Sequence, residues 1–401
     1  MAKTSRTAKR NLFIFIVAVI LVIVVAAVII YFAAPDVFDK ILAAFDDKSQ
    51  SQGTTDPPLV RGEGELMVHF IDVGQGDCIL ILFPDGKDML IDCGTTKGGD
   101  LDETLTYLSM FVTDGRLDYL MVTHGDSDHV EYIDEIIETY DVDNIFMPDI
   151  KSVPSGTSSS DKYQDQIDTL SNDKLALFND PDTLSSNVYA EFFIAALSEP
   201  DCNIYLNVDS DENTNAIVIT DDGVQDPAAP DTDATYRLTF YCPTQEYYDE
   251  SNLGSAEKRN AISPIGILEY NGFRLVLTGD SNEINEPTFV ERVGGSLDCD
   301  VLKVGHHGSE SSSTAEFLDC VTCEYAVISC GEGNSHHHPR QVTLDRLIQR
   351  DMTIYRTDNN GNIVLTVRDE ADFEFICEIQ STQEQNEDGW TDEEIAEAKG
   401  E

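Results

Sequence analysis

The stretch Thr123-His124-Gly125-Asp126-Ser127-Asp128-His129 decides the fold, and it follows residues 117–122, an apolar run that predicts a buried strand. Two imidazoles and two carboxylates this close together cannot all reach one ion without strain, but they can serve two neighbouring ions. The alternative is a polar turn in which Asp126 or Ser127 caps a helix over residues 130–140. A cap needs only one such residue, so the cluster favours a metal site.

Composition limits the classes of partner. The chain has 401 residues, of which 25 are Lys or Arg and 75 are Asp or Glu, so the formal net charge is −50. Such a surface repels nucleic acid at long range, because affinity for it comes mostly from basic side chains that meet phosphates. The nine cysteines are an odd number, so at least one lacks an intramolecular partner. Cys320 and Cys323 form a CxxC pair without the second pair that a zinc knuckle needs.

The N-terminal part of the sequence predicts a membrane anchor. Residues 1–11 are basic, and residues 12–34 contain no charge and would span roughly 35 Å as a helix. We therefore expect a single-pass membrane protein with a cytoplasmic N-terminus and an extracellular catalytic domain. A cleaved signal peptide is the alternative, but its apolar region usually has only ~7–15 residues. A polar stalk over residues 35–65 would follow the anchor.

The rest of the sequence predicts one α/β domain with mixed sheets over residues 66–378, followed by an acidic tail over residues 379–401. Residues 151–260 interrupt the domain as an insert rich in acidic turns. Two interpretations stay open for it: an elaboration that shapes the substrate face, or a solvated insertion.

Several predicted strands end at a metal-binding type of side chain. These positions are Asp92, His124 to His129, Asp280, His306 with His307, and the loop that holds His338. Seven of the eight histidines in the chain lie at these loops. Ligands at strand ends on one edge of a sandwich converge in space, so we expect one metal centre.

Five segments resemble a known family. They are His-Phe-Ile-Asp-Val-Gly-Gln-Gly-Asp (69–77), Leu-Ile-Asp-Cys-Gly (90–94), Thr-His-Gly-Asp-Ser-Asp-His (123–129), Leu-Thr-Gly-Asp (277–280) and Lys-Val-Gly-His-His-Gly-Ser (303–309). Their order resembles the metallo-β-lactamase fold, an αββα sandwich. More narrowly, it is similar to the extracellular hydrolase domain of ComEC-type DNA-uptake proteins.

The resemblance implies two divalent ions, zinc or manganese, held by six side chains. His124 and Asp126 would hold the first ion, and Asp128 and His129 the second. Asp280 would bridge both ions, and His306 would complete the second site, although the choice between His306 and His307 stays open.

Further roles follow from the same resemblance. Asp128 would be catalytic, Asp92 would orient the ligands, and His338 would touch the substrate phosphate or protonate the leaving group. Substrate contacts are expected from four residues, His307, Lys303, Asn260 and Ser263. Lys97 and Arg340 are further candidates for neutralising phosphate.

The sequence departs from the family pattern at two places. Asp126 stands where the family usually has a second histidine, and a separate histidine is missing from the stretch that holds Asn260 and Ser263. The first metal site would therefore be rich in oxygen, which weakens zinc there and makes manganese or a single ion plausible.

The resulting functional hypothesis is a hydrolase that uses metal-activated hydroxide on phosphodiester bonds, in DNA or in a phosphate-containing wall polymer. A role in DNA uptake would need a partner channel. The alternative from another class is a cell-surface binding module with a degenerate metal site. A β-lactamase or thiol-ester hydrolase is a third candidate.

Overall fold

The computed structural model describes residues 61–150, 170–171, 174, 187–209, 216–228, 231, 233–248 and 255–399. The predicted basic tail, the predicted anchor over residues 12–34 and nearly all of the predicted stalk lie outside the described residues. Among the residues described, no helix has both the length and the apolar character needed to cross a bilayer. The described residues therefore provide no membrane-spanning helix for the predicted single-pass localisation, and that prediction is not retained.

Two large sheets form the centre of the domain. The strands of the first sheet are β1 (Leu66–Phe70), β2 (Cys78–Leu82), β3 (Asp88–Cys93), β4 (Arg116–Met121), β5 (Asp141–Met147), β6 (Asn203–Leu206), β17 (Ile363–Asp369) and β18 (Asp372–Cys377). They lie in the order β18-β17-β1-β2-β3-β4-β5-β6. Strands β3 to β6 run parallel to one another, so their C-terminal ends meet at one edge.

The second sheet contains β7 (Ala216–Thr220), β8 (Gly223–Gln225), β9 (Tyr236–Tyr241), β10 (Ile265–Tyr270), β11 (Phe273–Leu277), β13 (Val301–Lys303), β15 (Tyr325–Ile328) and β16 (Thr353–Arg356). Their order is β16-β15-β13-β11-β10-β9-β7-β8. Strands β11, β13, β15 and β16 are parallel. A separate short pair consists of β12 (Leu297–Asp298) and β14 (Val321–Thr322).

The helices are α1 (Leu101–Ser109), α2 (Ser127–Val130), α3 (Ile133–Thr139), α4 (Asn187–Ser198), α5 (Ala256–Asn260), α6 (Glu286–Val293), α7 (Ala315–Cys320), α8 (Gln341–Ile348), α9 (Thr357–Asn360), α10 (Gln383–Asn386) and α11 (Asp392–Lys399). Short 3₁₀ turns cover Gln245–Tyr248 and Gly305–Gly308.

The main core lies between the two sheets. Phe70 and Ile81 of the first sheet belong to the same buried cluster as Leu238 and Leu275 of the second. A second cluster covers the outer face of the second sheet, where Phe317 and other helical side chains pack. His69 points to the opposite face of the first sheet and packs against α1 and its C-terminal extension. The predicted αββα layering is confirmed.

Three local features differ from the sequence-based expectations. The predicted helix over residues 130–140 is broken, because the Tyr132 amide donates to the Cys93 carbonyl on β3 instead of continuing the helix. The described parts of the insert add β6 to one sheet and β7, β8 and β9 to the other. Cys323 is bonded to Cys299, while Cys320 is a free thiol.

Candidate metal centre

The candidate site lies where the parallel strands of both sheets end. Asp92 is the last residue but one of β3, and residues 123–129 follow β4, its parallel neighbour. In the second sheet Asp280 follows β11, and the Gly305–Gly308 turn follows β13, which is also parallel to its neighbour. Because the C-terminal ends of parallel strands share an edge, the chain brings these distant segments together.

Four buried donor atoms at this edge have no hydrogen-bond partner among the described residues. They are the Nε2 atoms of His124, His129 and His307 and Oδ1 of Asp280. The Asp280 Oδ1 atom lies 3.2 Å from His129 Nε2 and 3.6 Å from His307 Nε2. The other oxygen, Oδ2, lies 3.8 Å from His124 Nε2. Buried polar atoms without partners are costly, so their convergence indicates a site for a cation.

The opposite nitrogen of each imidazole is held by the protein. His129 Nδ1 lies 2.7 Å from Asp92 Oδ2, and His307 Nδ1 lies 2.9 Å from the Ser329 carbonyl oxygen. His124 Nδ1 lies 3.3 Å from the Ser263 hydroxyl. A proton on Nδ1 leaves the lone pair on Nε2, so this pattern directs three nitrogen donors at one place.

Asp92 is the main support of this arrangement. Its carboxylate accepts hydrogen bonds from the Thr123 amide and the Thr123 hydroxyl, both at 2.7 Å, in addition to its contact with His129. Asp92 has φ 54°, which is a left-handed conformation that turns the chain sharply after β3. The structure thus places Asp92 against His129, and its role in orienting metal ligands stays a prediction.

Asp128 and His307 complete the donor group. Asp128 Oδ2 lies 3.4 Å from His307 Nε2, and both side chains form a potential ligand set with His129. A second set consists of His124, His129 and Asp280. The two oxygens of Asp280 thus face different histidines, as a bridging carboxylate would.

The structure places His306 and His307 differently. Both residues have positive φ values, 49° and 53°, which send their side chains in different directions. His307 is buried among the donors, whereas His306 is 21% exposed and its Nε2 lies 3.0 Å from the Asn260 amide nitrogen. His306 Nε2 is still within 3.7 Å of Asp280 Oδ2, so its role as a ligand stays a prediction.

Asp126 has a different partner from the one that the sequence predicts. Its carboxylate accepts hydrogen bonds from Arg259, at 2.8 Å from Nε and 3.3 Å from Nη2. Asp126 belongs to none of the described donor sets with mutually close atoms. Its role as a ligand for the first ion therefore stays a prediction.

Two predicted substrate contacts are corrected by burial. The Lys303 side chain is fully buried, and its Nζ lies 2.8 Å from Asp77 Oδ2, so it cannot contact a substrate. The Ser263 side chain is also buried, and its hydroxyl contacts His124 and accepts the Asp280 amide at 3.2 Å. Both residues support the donors from behind.

The remaining predicted residues line an open cleft of about 450 Å³ in front of the donors. Asn260, His306, His307 and His338 are among its walls. His338 is largely buried, and burial, with the nearby His306 and His307, lowers its pKa well below the ordinary value. His338 is therefore neutral at pH 7 and can offer a ring N–H or a lone pair to a bound molecule.

Charges in the centre are strongly coupled. Burial by itself would lower the pKa of His129, but Asp280 and Asp92 raise it well above the ordinary value. Burial would also lower the pKa of His307. The negative charges of Asp280, Asp128 and Asp77 outweigh this effect and raise the pKa to about 10. The carboxylates thus favour positive charge at the position of the donors, which is the charge that a divalent ion would supply. The donor set, with its nitrogen and carboxylate atoms, fits such an ion.

Sequence reasoning missed Asp77 and Arg259 as parts of the site. Asp77 forms the ion pair with Lys303 and lies 3.5 Å from His307 Nδ1. A signal for this pair existed, because both residues belong to the motifs at 69–77 and 303–309. Arg259 belongs to the irregular insert, and no pattern there indicated a role.

Comparison with known proteins agrees with this geometry. Residues 71–190 match the Metallo-beta-lactamase superfamily. The chain is 26% identical over 320 residues to ComE operon protein 3 of Bacillus subtilis (strain 168), covering 76% of this chain and 33% of that protein. It is 40% identical over 90 residues to Competence protein ComA of Neisseria gonorrhoeae, covering 22% of this chain and 13% of that protein. The chain thus spans about a third or less of the length of these relatives.

Among solved structures, the metallo-beta-lactamase fold protein YhfI from Bacillus subtilis aligns with 75% of this chain and 100% of its own, at 11% identity and a TM-score of 0.39. The sequence matches confirm the resemblance that the five motifs predict.

Proposed function

We propose that this chain, a metal-dependent hydrolase of the metallo-β-lactamase superfamily related to the ComEC competence proteins, cleaves phosphodiester bonds. The observation that carries the proposal is the convergence of three buried imidazole Nε2 atoms on the Asp280 carboxylate. DNA is the substrate class that the resemblance to ComEC-type DNA-uptake proteins implies. Since the chain spans a third or less of those relatives, a role in DNA uptake is proposed only together with a partner that forms the channel.

The donor arrangement supports two divalent ions, zinc or manganese. One set would use His124 and Asp280 Oδ2, and the other Asp128, His307 and Asp280 Oδ1, with His129 close to both. Such ions lower the pKa of bound water towards ~7 and polarise the phosphoryl oxygen.

The side chains of this protein supply orientation and proton handling. Asp92 fixes His129 through Nδ1, and the Ser329 carbonyl fixes His307 in the same way. His338 stands at the cleft wall, 5.2 Å from the His306 ring, where it can donate a hydrogen bond to the leaving oxygen.

The test combines metal content with hydrolysis of bis-p-nitrophenyl phosphate by the full chain, with Mn²⁺ or Zn²⁺ added. We expect metal-dependent turnover, and we expect Asp280→Asn to lose both bound metal and activity. The control is Asp100→Asn, because Asp100 caps α1 and asparagine caps a helix equally well. If the wild-type chain neither binds metal nor turns over substrate, the hydrolase is refuted and a binding module with a degenerate site takes its place.

A further inference from the structure

The cleft contains a cation that the proposed hydrolysis does not yet use. Arg259 lines the cleft together with Asp126, Asp128 and Asp280. It lies on α5, which is fixed to the domain because the buried Asn282 side chain donates to the Glu257 carbonyl at 2.7 Å. The position of Arg259 is therefore set by the fold.

The other candidate cations point elsewhere. Lys303 is buried behind the donors in its ion pair with Asp77. The Lys97 ammonium donates to the Gly333 carbonyl, and Arg340 pairs with acidic side chains outside the cleft. Among the described residues, Arg259 is the only Lys or Arg that lines the cleft. In a chain of net charge −50, this single guanidinium has a large share in the local field that an anionic substrate meets.

The present partner of Arg259 is one of the predicted metal ligands. The guanidinium holds both oxygens of Asp126, at 2.8 and 3.3 Å. Both side chains are about one-quarter exposed, at 27% and 24%. Asp126 precedes α2 but, within the part of the chain that the structure describes, makes no capping hydrogen bond with its side chain. Its carboxylate is thus directed into the cleft, towards Arg259.

We propose that Arg259 has two partners in turn, Asp126 before the centre is loaded and the substrate phosphodiester afterwards. Both oxygens of Asp126 face the guanidinium in this geometry, so an ion held by Asp126 would have to draw the carboxylate away from Arg259, and the two cations would compete for it. A partly exposed ion pair is weak, and a divalent ion can displace it. The planar guanidinium, once released, matches two oxygens of a phosphodiester. This inference rests on the proposed phosphodiesterase function.

The competition predicts that replacing Arg259 strengthens metal binding and weakens substrate binding. Arg259→Gln removes the competitor of the ion, so Mn²⁺ should bind roughly 2- to 5-fold more tightly, as expected for the loss of one partly exposed ion pair. The same variant loses the phosphate contact, so KM for bis-p-nitrophenyl phosphate should rise by about tenfold or more, with a smaller change in kcat. If Arg259 had only a structural role, its replacement would weaken both Mn²⁺ binding and substrate binding.

Metal affinity is measured by competition with a chromophoric chelator, and KM by steady-state kinetics at saturating Mn²⁺. The matched control is Lys258→Gln, which removes the same charge from the same helix at a position that does not line the cleft. It should change neither quantity by more than about twofold. Arg259→Lys keeps the charge but loses the paired N–H donors of the planar guanidinium, so its KM should lie between those of the wild type and Arg259→Gln.

Unchanged or weaker Mn²⁺ binding by Arg259→Gln would overturn the competition for Asp126, and an unchanged KM would overturn the phosphate contact. The chelator assay needs no turnover. If the wild-type chain hydrolyses no phosphodiester with any ion, the proposed function fails, while the chelator assay still decides whether Arg259 and the ion compete.

Discussion

Replacing Asp92 by Asn should weaken metal binding although Asp92 contacts no ion. The carboxylate lies 2.7 Å from His129 Nδ1, so it accepts the proton there and leaves the lone pair on Nε2. An asparagine amide at the same place donates to Nδ1 instead. The imidazole then carries its proton on Nε2, where the lone pair is needed.

The magnitude follows from the hydrogen bonds that the substitution disturbs. Asparagine can still accept the Thr123 amide, whereas the hydrogen bonds with the Thr123 hydroxyl and with His129 are both affected. Changes of this kind next to a ligand cost about 10- to 100-fold in metal affinity, or ~1.4–2.8 kcal/mol. Asparagine also tolerates the φ of 54° at this position, so the turn after β3 is retained.

The assay is chelator competition with Mn²⁺ and Zn²⁺ on the full chain, with circular dichroism to verify folding. Asp100→Asn is the control, since it makes the same chemical change at a helix cap. If the folded Asp92→Asn variant binds metal with an affinity within threefold of the wild type, then Asp92 does not determine which nitrogen of His129 carries the proton.

Two further predictions concern stability. Asp77→Asn leaves Lys303 buried without its partner and should lower the free energy of unfolding by ~3–5 kcal/mol in urea titrations. The double variant Asp77→Asn with Lys303→Met should recover most of the lost stability. A loss below about 1 kcal/mol in the single variant would contradict the buried ion pair. Burial raises the pKa of Asp88 to about 7 from 3.8. The folded state therefore binds this proton more tightly, and stability should fall by up to ~4 kcal/mol as the pH rises from about 4 to 7. Asp88→Asn should remove this part of the pH dependence in unfolding curves, and an unchanged slope would speak against it.

The layered fold and the location of the site could be predicted from the sequence because they depend on alternation and order. Apolar runs that end in Asp92, His124 and Asp280 are visible without a structure, and parallel strands bring such ends to one edge. The sequence predicts His124, His129 and Asp280 as ligands in this way, and the structure brings their donor atoms together. Neither the layering nor the edge depends on the direction of a single side chain.

The choice between His306 and His307 could not be made from the sequence. Two consecutive residues in left-handed conformations set which ring turns inward, and a histidine pair gives no sign of its backbone angles. The sequence is similarly ambiguous about the role of Lys303, which was predicted to contact the substrate. A lysine at the end of the apolar strand β13 needs a buried counter-charge, but its partner Asp77 is more than 200 residues away along the chain.

Arg259 shows where pattern-based prediction ends. It lies on a helix of five residues between an irregular segment and β10, and no periodicity marks it. Asp126, which stands where the family pattern usually has a histidine, is the anionic partner of this arginine. A departure from a motif is therefore a reason to look for a compensating residue elsewhere in the chain.

The charges of the centre explain why it is built for a cation. Asp77, Asp92 and Asp280 are almost completely buried, and Lys303 is the only buried ammonium group beside them among the residues that the structure describes. A buried carboxylate without a counter-charge costs several kcal/mol, so the excess negative charge has to be balanced. Protonated imidazoles can supply part of this balance, as the raised pKa values of His129 and His307 indicate. A divalent ion would also balance this negative charge, and it would coordinate the Nε2 atoms. We therefore expect metal binding to stabilise the folded protein as well as to activate the site.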